Sequence, residues 1–296
     1  MMLKQLFKRY TEQNWALGFV RGGMHSVMES DHFDVDWVKM PKDRWFADPF
    51  VLDVTDDEIL LLVEDFGYNV HKGVISLLRI NRTTMEITSR KVLLEIPTHL
   101  SFPIILRKDG HIYVYPESMG SGRLVMYEYL PESQTMKFVK PICDDKVWDS
   151  VMVDDFGEQL LFTSAHGDDI LDIYRWNEKK QRYISYFQIP SDIPNCRMGG
   201  NVFKYKGQYY YPAQYNEKTY GGALDIKPLK EEGGKLKVEG VVKRIESPNM
   251  RYPLGLHTLN EYKGVVVIDV KGYRYGKMGS LLNSILNLKK VFRHAK

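Results

Sequence analysis

Hydrophobic and polar positions along this chain fall into a short pattern that returns five times. Each copy opens with an apolar run, passes through a glycine or acidic turn, and closes with a second apolar run ending on a polar residue. The copies are ADPFVLDVTDDEILLLVE (47–64), SFPIILRKDGHIYVYPE (101–117), WDSVMVDDFGEQLLFTS (148–164), GGNVFKYKGQYYYPAQ (199–214) and GLHTLNEYKGVVVID (255–269). Aligned on Pro49, Pro103, Ser150, Asn201 and His257, they step by 54, 47, 51 and 56 residues. A period of about 50 residues built from short strands and turns is the signature of a propeller, with one blade per repeat.

Two further alternating runs follow most hairpins: GVISLLRI and RKVLLEI, RLVMYEYL and KFVKPI, ILDIYRW and RYISYFQI, GALDIKPL and KVEGVVKRI (237–245). Alternation of this kind predicts half-buried antiparallel strands, four to a blade. The fifth repeat runs out after GVVVIDV (264–270), so its outer strands must come from elsewhere. NWALGFVRG (14–22) and FDVDWVKM (33–40) are the candidates, and closing the ring with them would leave no open sheet edge. The predicted fold is all-β: a five-bladed β-propeller of four-stranded antiparallel blades over residues 1–276, closed by N-terminal strands. Its blades start near 47, 101, 148, 199 and 255.

The tail (277–296) breaks the pattern. Met278, Leu281, Leu282, Ile285, Leu286, Leu288 and Phe292 recur at helical spacing, and Lys289, Lys290, Arg293, His294 and Lys296 crowd its end. A short amphipathic C-terminal helix is expected, either packed across the propeller or lying on an anionic membrane through residues 278–296, with a frayed tail as the remaining alternative.

Composition narrows the function classes. A net charge of +3 gives no ground for a nucleic-acid partner. Cys143 and Cys196 have no metal spacing, and so few thiols point to a reducing, cytoplasmic setting, with peripheral contact on the inner membrane face if the tail docks there. The first residues lack the apolar core of a secretory signal, and no stretch reads as a membrane span. Walker, Rossmann and GxSxG motifs do not occur. Aromatics make up 12% of the chain, which suits both strands and sugar-stacking clefts.

A propeller gathers the starts of its inner strands around one axis. In this register those positions hold Asp48, Phe102, Asp149, Gly200 and Leu256, so two carboxylates from different blades converge. The second strands end on Glu64, Glu117, Ser164, Gln214 and Asp269, a ring that reads either as ligand contacts or as blade-to-blade hydrogen bonding. His99 is a candidate donor to a ligand hydroxyl, with a structural role the alternative, and His257, on the inner strand of the fifth blade, is a further candidate for the site. Arg197, beside two glycines in RMGGN, is a candidate anion binder, and Asn201 follows it.

FADPF (46–50), HLSFPII (99–105), PES (116–118), WDS (148–150), GGNVF (199–203) and LGLHTL (254–259) carry a resemblance covering roughly residues 40–275. The chain resembles the five-bladed propellers of family 43 glycoside hydrolases. It is more closely similar to the N-terminal propeller domain of plant glucosamine inositolphosphorylceramide transferases and to stand-alone bacterial relatives found in surface-polysaccharide gene sets. In the plant enzymes the transferase chemistry is assigned to a separate domain, so that activity is not carried over. The family 43 resemblance implies that Asp48 is a catalytic base and Asp149 a modulator. The expected fourth-blade acid has no counterpart near Gly199, Gly200 or Asn201, which leaves Glu117 as a stand-in. It also allows a central calcium near His257, although no cofactor is expected.

The resulting expectation is a carbohydrate-active propeller in surface-polysaccharide or glycolipid biosynthesis. Asp48, Asp149 and Glu117 are the catalytic candidates. Arg197, His257, His99, Asn201, Gln214 and Glu64 are the binding candidates. Whether it transfers or cleaves a glycosyl unit stays open against a non-catalytic module that presents a lipid-linked sugar to a partner glycosyltransferase.

Overall fold

The computed structural model describes residues 10–233, 235–276 and 278–284. The chain opens with β1 (Gln13–Val20), a short helix α1 (Gly23–Glu29) and β2 (Val35–Trp37). Blade 1 follows as β3 (Arg44–Val54), β4 (Glu58–Gly67), β5 (Gly73–Asn81) and β6 (Ile87–Leu94). Blade 2 is β7 (Ser101–Lys108), β8 (His111–Glu117), β9 (Leu124–Leu130) and β10 (Thr135–Cys143). Blade 3 is β11 (Trp148–Val153), β12 (Leu160–Ser164), β13 (Ile170–Asn177) and β14 (Arg182–Pro190). Blade 4 holds β15 (Phe203–Tyr205), β16 (Gln208–Tyr215) and β17 (Ala223–Glu232). Its outer edge is two strands, β18 (Lys235–Val238) and β19 (Lys243–Ile245), both paired to β17, where the sequence suggested one. Gly240 interrupts them, and a glycine inside a strand pattern often marks such a break.

Blade 5 closes the ring. Its inner strands are β20 (Leu259–Tyr262) and β21 (Val265–Tyr273), and the sheet order β2-β1-β21-β20 adds both N-terminal strands outside them. β1 runs antiparallel to β21 over its full length, from Gln13↔Tyr273 to Val20↔Val266. Because side chains alternate across a strand, β1 serves two neighbours. Leu17 and Phe19 join the core shared with blade 1, while Ala16 and Val20 join the core shared with blade 4. The hydrophobic core is thus a set of wedges between blades rather than one central mass.

The helix α1 was not anticipated. At seven residues it is too short to show a helical period, and it follows Gly22 and Gly23, both at positive φ. It buries Val27 against blade 5. Residues 278–284 are helical, with Met278 and Leu281 exposed and Gly279 packed against Tyr10 and Tyr273. The remaining tail positions named above, 285–296, lie outside the described residues. No helix among the described residues is long and apolar enough to cross a membrane.

One local feature repeats from blade to blade. The inner-strand register slips between Ala47 and Phe50, between Ser101 and Ile104, and between Trp148 and Val151. The displaced residues Asp48, Phe102 and Asp149 adopt φ of 49°, 43° and 42°. Left-handed backbone is costly for residues other than glycine and persists only where the surroundings hold it. Blade 4 has Gly200 there instead, at φ 144°. These bulges turn the residue at each axial position out of its ladder, as bulges do beside sites.

Candidate functional site

The bulges are tied around the ring by side chains from neighbouring blades. The Asp48 amide donates to Asp269 Oδ2 at 2.9 Å, joining blade 1 to blade 5. The Phe102 amide donates to Asp48 Oδ2 at 3.1 Å, and the Asp149 amide to Glu117 Oε2 at 3.3 Å. The ring of polar strand ends is therefore partly blade-to-blade bonding. It also gathers an unusual density of buried charge.

Asp48, His257 and Asp269 form the first group. Asp269 Oδ1 accepts from the His257 ring Nδ1 at 2.8 Å and from the Thr258 amide at 2.9 Å. Burial alone would raise the Asp269 carboxyl, but His257 and these hydrogen bonds outweigh it and hold it below the ordinary range. A carboxylate acceptor fixes the hydrogen on Nδ1, so Nε2 faces Asp48 Oδ1, 3.5 Å away. Asp48 is pushed the other way. Burial lifts its carboxyl well above the usual range, and the charges of Glu64, Asp149 and Asp269 lift it further. Trp15, from β1, stacks on the His257 ring at 3.8 Å and 15°.

Asp149, Glu117, Arg197 and Gln214 form the second group. Arg197 Nε donates to Asp149 Oδ2, and its NH2 group lies 3.5 Å from Glu117 Oε2. Gln214 Nε2 donates to Asp149 Oδ2 and to the Met198 carbonyl, each at 2.8 Å. Two acceptors on one side fix the amide, and its Oε1 is buried with no partner. Ser164 Oγ, at the matching strand end of blade 3, is also buried and unpartnered. Burial, then the charge of Asp149, raises the Glu117 carboxyl well above its usual value, against the pull of Arg197. Glu64 pairs with His99 Nε2 at 3.2 Å, while His99 Nδ1 accepts from the Gly73 amide at 2.9 Å.

Three sequence expectations change. Arg197 is spent on two carboxylates, so it does not offer a free guanidinium to an anion. Asn201 stands apart from these groups: its amide donates to Asn260 Oδ1, and it lines a separate cavity with Ile105, Met152 and Phe203. Asp48, Asp149 and His257 do not face open solvent, being only 4%, 2% and 2% exposed. A pocket of about 410 Å³ opens outside Arg197, lined also by Trp148, Asp168 and Asn216. A groove of about 450 Å³ between blades 2 and 3, lined by Leu106, Tyr113 and Tyr183, lies away from the carboxyls.

The missing fourth-blade acid has a steric reason. A Cβ on Gly199 would sit 2.6 Å from the His257 carbonyl oxygen, and one on Gly200 would sit 2.0 Å from that of Leu259. The backbone of blade 4 presses so closely on blade 5 that no carboxylate fits there. Glu117, from the other side, reaches Asp149 instead.

Three participants escaped the sequence reading. Trp15 lies 242 residues from His257 and enters only through ring closure. Tyr220, on the loop after β16, approaches Trp15 and His257 edge-on at 6.4 and 5.5 Å and lies under the Arg197 guanidinium at 5.3 Å. Lys271, two residues beyond the polar strand end, is 1% exposed, and burial pulls its pKa down to about 8. Only the alternation in GVVVIDVK, which makes Asp269 and Lys271 face the same side, hinted at it.

Ligand atoms of Asp48, His257 and Asp269 lie within 4.8 Å of one another, close enough to suggest a metal. The fit is poor. Both Asp269 oxygens already accept N–H donors, which leaves one histidine and one carboxyl, far short of the six to eight oxygens calcium takes.

Comparison with known proteins agrees with this fold. Glucosamine inositolphosphorylceramide transferase 1 of Oryza sativa subsp. japonica is 28% identical over 198 residues, covering 62% of this chain and 26% of that protein. The Arabidopsis thaliana protein of that name is 26% identical over 199 residues, covering 63% and 26%. The chain thus spans about a quarter of the length of these curated relatives. Among solved structures, a thermostable family-43 glycoside hydrolase superposes with a TM-score of 0.52 at 15% identity, covering 73% of this chain and 83% of that one. An exo-beta-1,3-galactanase from Phanerochaete chrysosporium gives 0.51 at 12%, covering 75% and 59%. These two share the fold. Residues 36–232 match the N-terminal domain family of glucosamine inositolphosphorylceramide transferase 1, and the chain belongs to that family.

Proposed function

We propose that the axial cluster binds a glycosyl unit, in the service of surface-polysaccharide or glycolipid assembly on the cytosolic side of a membrane. The observation that carries this reading is a ring of buried carboxyls with polar atoms still unpaired beside them. Gln214 Oε1 and Ser164 Oγ lie fully buried without hydrogen-bond partners, a costly arrangement that ligand hydroxyls would relieve. The cluster holds Asp48, Glu64, Glu117, Asp149 and Asp269 against Arg197, Lys271 and His257, and these three are already bonded to protein groups. Such a site favours a neutral or amino-bearing sugar over a phosphorylated or acidic one. The plant relatives are named for glucosamine and for inositolphosphorylceramide, which agrees with an amino sugar and a lipid-linked acceptor.

Where a bond is made or broken, Asp48 and Glu117 are the proton-handling groups, because burial and then neighbouring charges raise both carboxyls well above their ordinary values, the direction that lets a carboxyl hold a proton and pass it on. Asp269 and His257 hold Asp48 in place, and Arg197 holds Asp149. The second reading is a non-catalytic module that presents a lipid-linked sugar to a partner glycosyltransferase. The close-packed Gly199–Gly200 backbone, where the fourth-blade acid would stand, favours it.

Calorimetric titration with glucosamine, N-acetylglucosamine, galactose and glucuronic acid tests the proposal. Binding of a neutral or amino sugar, weakened at least about tenfold in Asp149→Asn and Gln214→Leu, is the expected result; each lost buried hydrogen bond to a charged group accounts for a change of that order. Preference for glucuronic acid, or equal binding by wild type and variants, would overturn it. Released or transferred sugar, detected by mass spectrometry and lost in Asp48→Asn, decides between the two readings.

A further inference from the structure

The segment 216–222, between β16 and β17, crosses the axial cluster and is pinned at its ends: the Asn216 amide donates to the Pro194 carbonyl, Asn216 Nδ2 to Asp168 Oδ2 at 3.1 Å, and the Gly222 amide to the Tyr215 and Thr219 carbonyls. Lys271 Nζ donates to Thr219 Oγ1 at 3.1 Å and to the Tyr220 carbonyl. Asn216 Oδ1 accepts from the Gly221 amide at 2.6 Å. Tyr220 is 46% exposed on its outer side, while its inner edge meets Trp15, His257 and Arg197. Two glycines follow it. Gly221, at φ 58°, lies so close to His257 and Trp15 that a Cβ would meet them at 2.8 and 2.9 Å. Beneath it, a Cβ on Gly255 would stand 1.9 Å from the Gly221 carbonyl oxygen.

The segment therefore lies against the cluster through backbone and one tyrosine ring, with little apolar anchoring of its own. Segments with few buried apolar contacts occupy the low end of local stability, and those beside sites are drawn from it. Asp48, Asp149 and His257 are almost fully buried beneath this region, so a sugar-sized ligand reaches them only if something moves. The second strand of each blade around them, β4, β8, β12, β16 and β21, is paired on both sides. The tyrosine segment has paired glycines at one end and no ladder of its own.

We propose that residues 216–222 form a movable strap over the axial cluster, with Tyr220 as the closing ring and Lys271 as the latch. This rests on the reading that the cluster takes a ligand. In the open position the strap uncovers His257 and Asp48 towards the pocket beside Trp148. In the closed position Tyr220 supplies an aromatic wall to the bound ring, and Lys271, clamped by the Thr219 hydroxyl and the Tyr220 carbonyl, restores the latch.

Hydrogen exchange on the full chain without sugar tests the strap separately from sugar recognition. Amides of 216–222 should exchange at least about tenfold faster in Lys271→Met and in Thr219→Val than in wild type, while β16 and β21 keep their protection. Diethylpyrocarbonate, followed by peptide mass spectrometry, should modify His257 at least about tenfold faster in Tyr220→Ala than in wild type. Thr219→Val removes a latch contact without touching the buried lysine, so it decides the matter if Lys271→Met fails to fold. Unchanged exchange of 216–222 in Thr219→Val, or His257 modified equally in wild type and Tyr220→Ala, would overturn the strap. Either result would leave the sugar titrations to stand or fall by themselves.

Discussion

Arg197 reaches across the boundary between blades 4 and 3 to bond Asp149, and both side chains are nearly buried. This pairing converts a residue that looked like an anion trap into the counter-charge of the site. A buried ion pair is weak as a source of stability but expensive to break from one side, since the survivor is left charged and desolvated. Arg197→Met should therefore lower the unfolding free energy by about 3–5 kcal/mol. Arg197→Met combined with Asp149→Asn should recover most of the loss. Urea unfolding of wild type, both singles and the double gives the coupling; additive losses would mean that the two side chains do not depend on each other.

Asp48 and Glu117 make a prediction about pH. Their folded-state pKa values are raised, by burial first and by neighbouring carboxylates next. Between the unfolded pKa, about 4, and the raised folded value, the folded chain binds more protons than the unfolded one. Stability from these groups is thus full below the unfolded pKa and is lost as pH rises through the folded pKa. Asp48→Asn and Glu117→Gln abolish that loss. Each variant should melt near or below wild type at pH 4 and above it at pH 7.5, a gain of about 2–4 °C for each kcal/mol in a chain of this size. A wild-type advantage that grows with pH would contradict the assignment.

The glycine at the fourth axial position offers a sharper steric test. Gly200→Ala brings both an unfavourable φ and a methyl 2.0 Å from a backbone oxygen that cannot swing away. Gly207 has a positive φ too, 84°, but open space around it. Gly207→Ala should cost about 1 kcal/mol, and Gly200→Ala at least about 3 kcal/mol, the backbone strain and the clash acting together. Equal losses in the two variants would show that blade 4 relaxes away from blade 5 and could have carried an acid.

These residues also show where the sequence stops being informative. The fold was legible because its signal is repeated: five hairpins, polar strand ends at matched positions, and strand-like runs at both ends of a ring that lacked two strands. The axial carboxylates were legible through the same register. What a single chain position cannot disclose is its partner. Arg197 looked free because Asp149 lies 48 residues upstream. Asn201 looked axial because it neighbours Gly200, but the bulge turns the chain, and the following residues run to another cavity. Trp15, Tyr220 and Lys271 occupy unrepeated positions, on the closing strand, a connecting loop and the far end of β21. No period marks them. The seven-residue helix α1 was invisible for a simpler reason: it makes too few turns to show a hydrophobic stripe.

Ring closure gives the last prediction. β1 supplies eight residues to the ladder with β21 and inserts Leu17 and Phe19 between blades 5 and 1. Leu17 is fully buried, so Leu17→Ala should cost about 2–5 kcal/mol, the range set by how far the site collapses around the lost volume. Without residues 1–40 the loss is of another kind. β21 becomes an open edge, the wedges on both sides lose their third wall, and Trp15 no longer covers His257. The truncated chain should aggregate or melt without a cooperative transition. A synthetic peptide covering residues 10–40, added during refolding, should restore both the transition and the stacking contact between Trp15 and the His257 ring. The peptide carries the strands, and the ladder register alone specifies where they pair. A truncated chain that melts as sharply and as high as the full one, peptide or not, would mean that the ring is held by its other blades and that the N-terminal strands only decorate it.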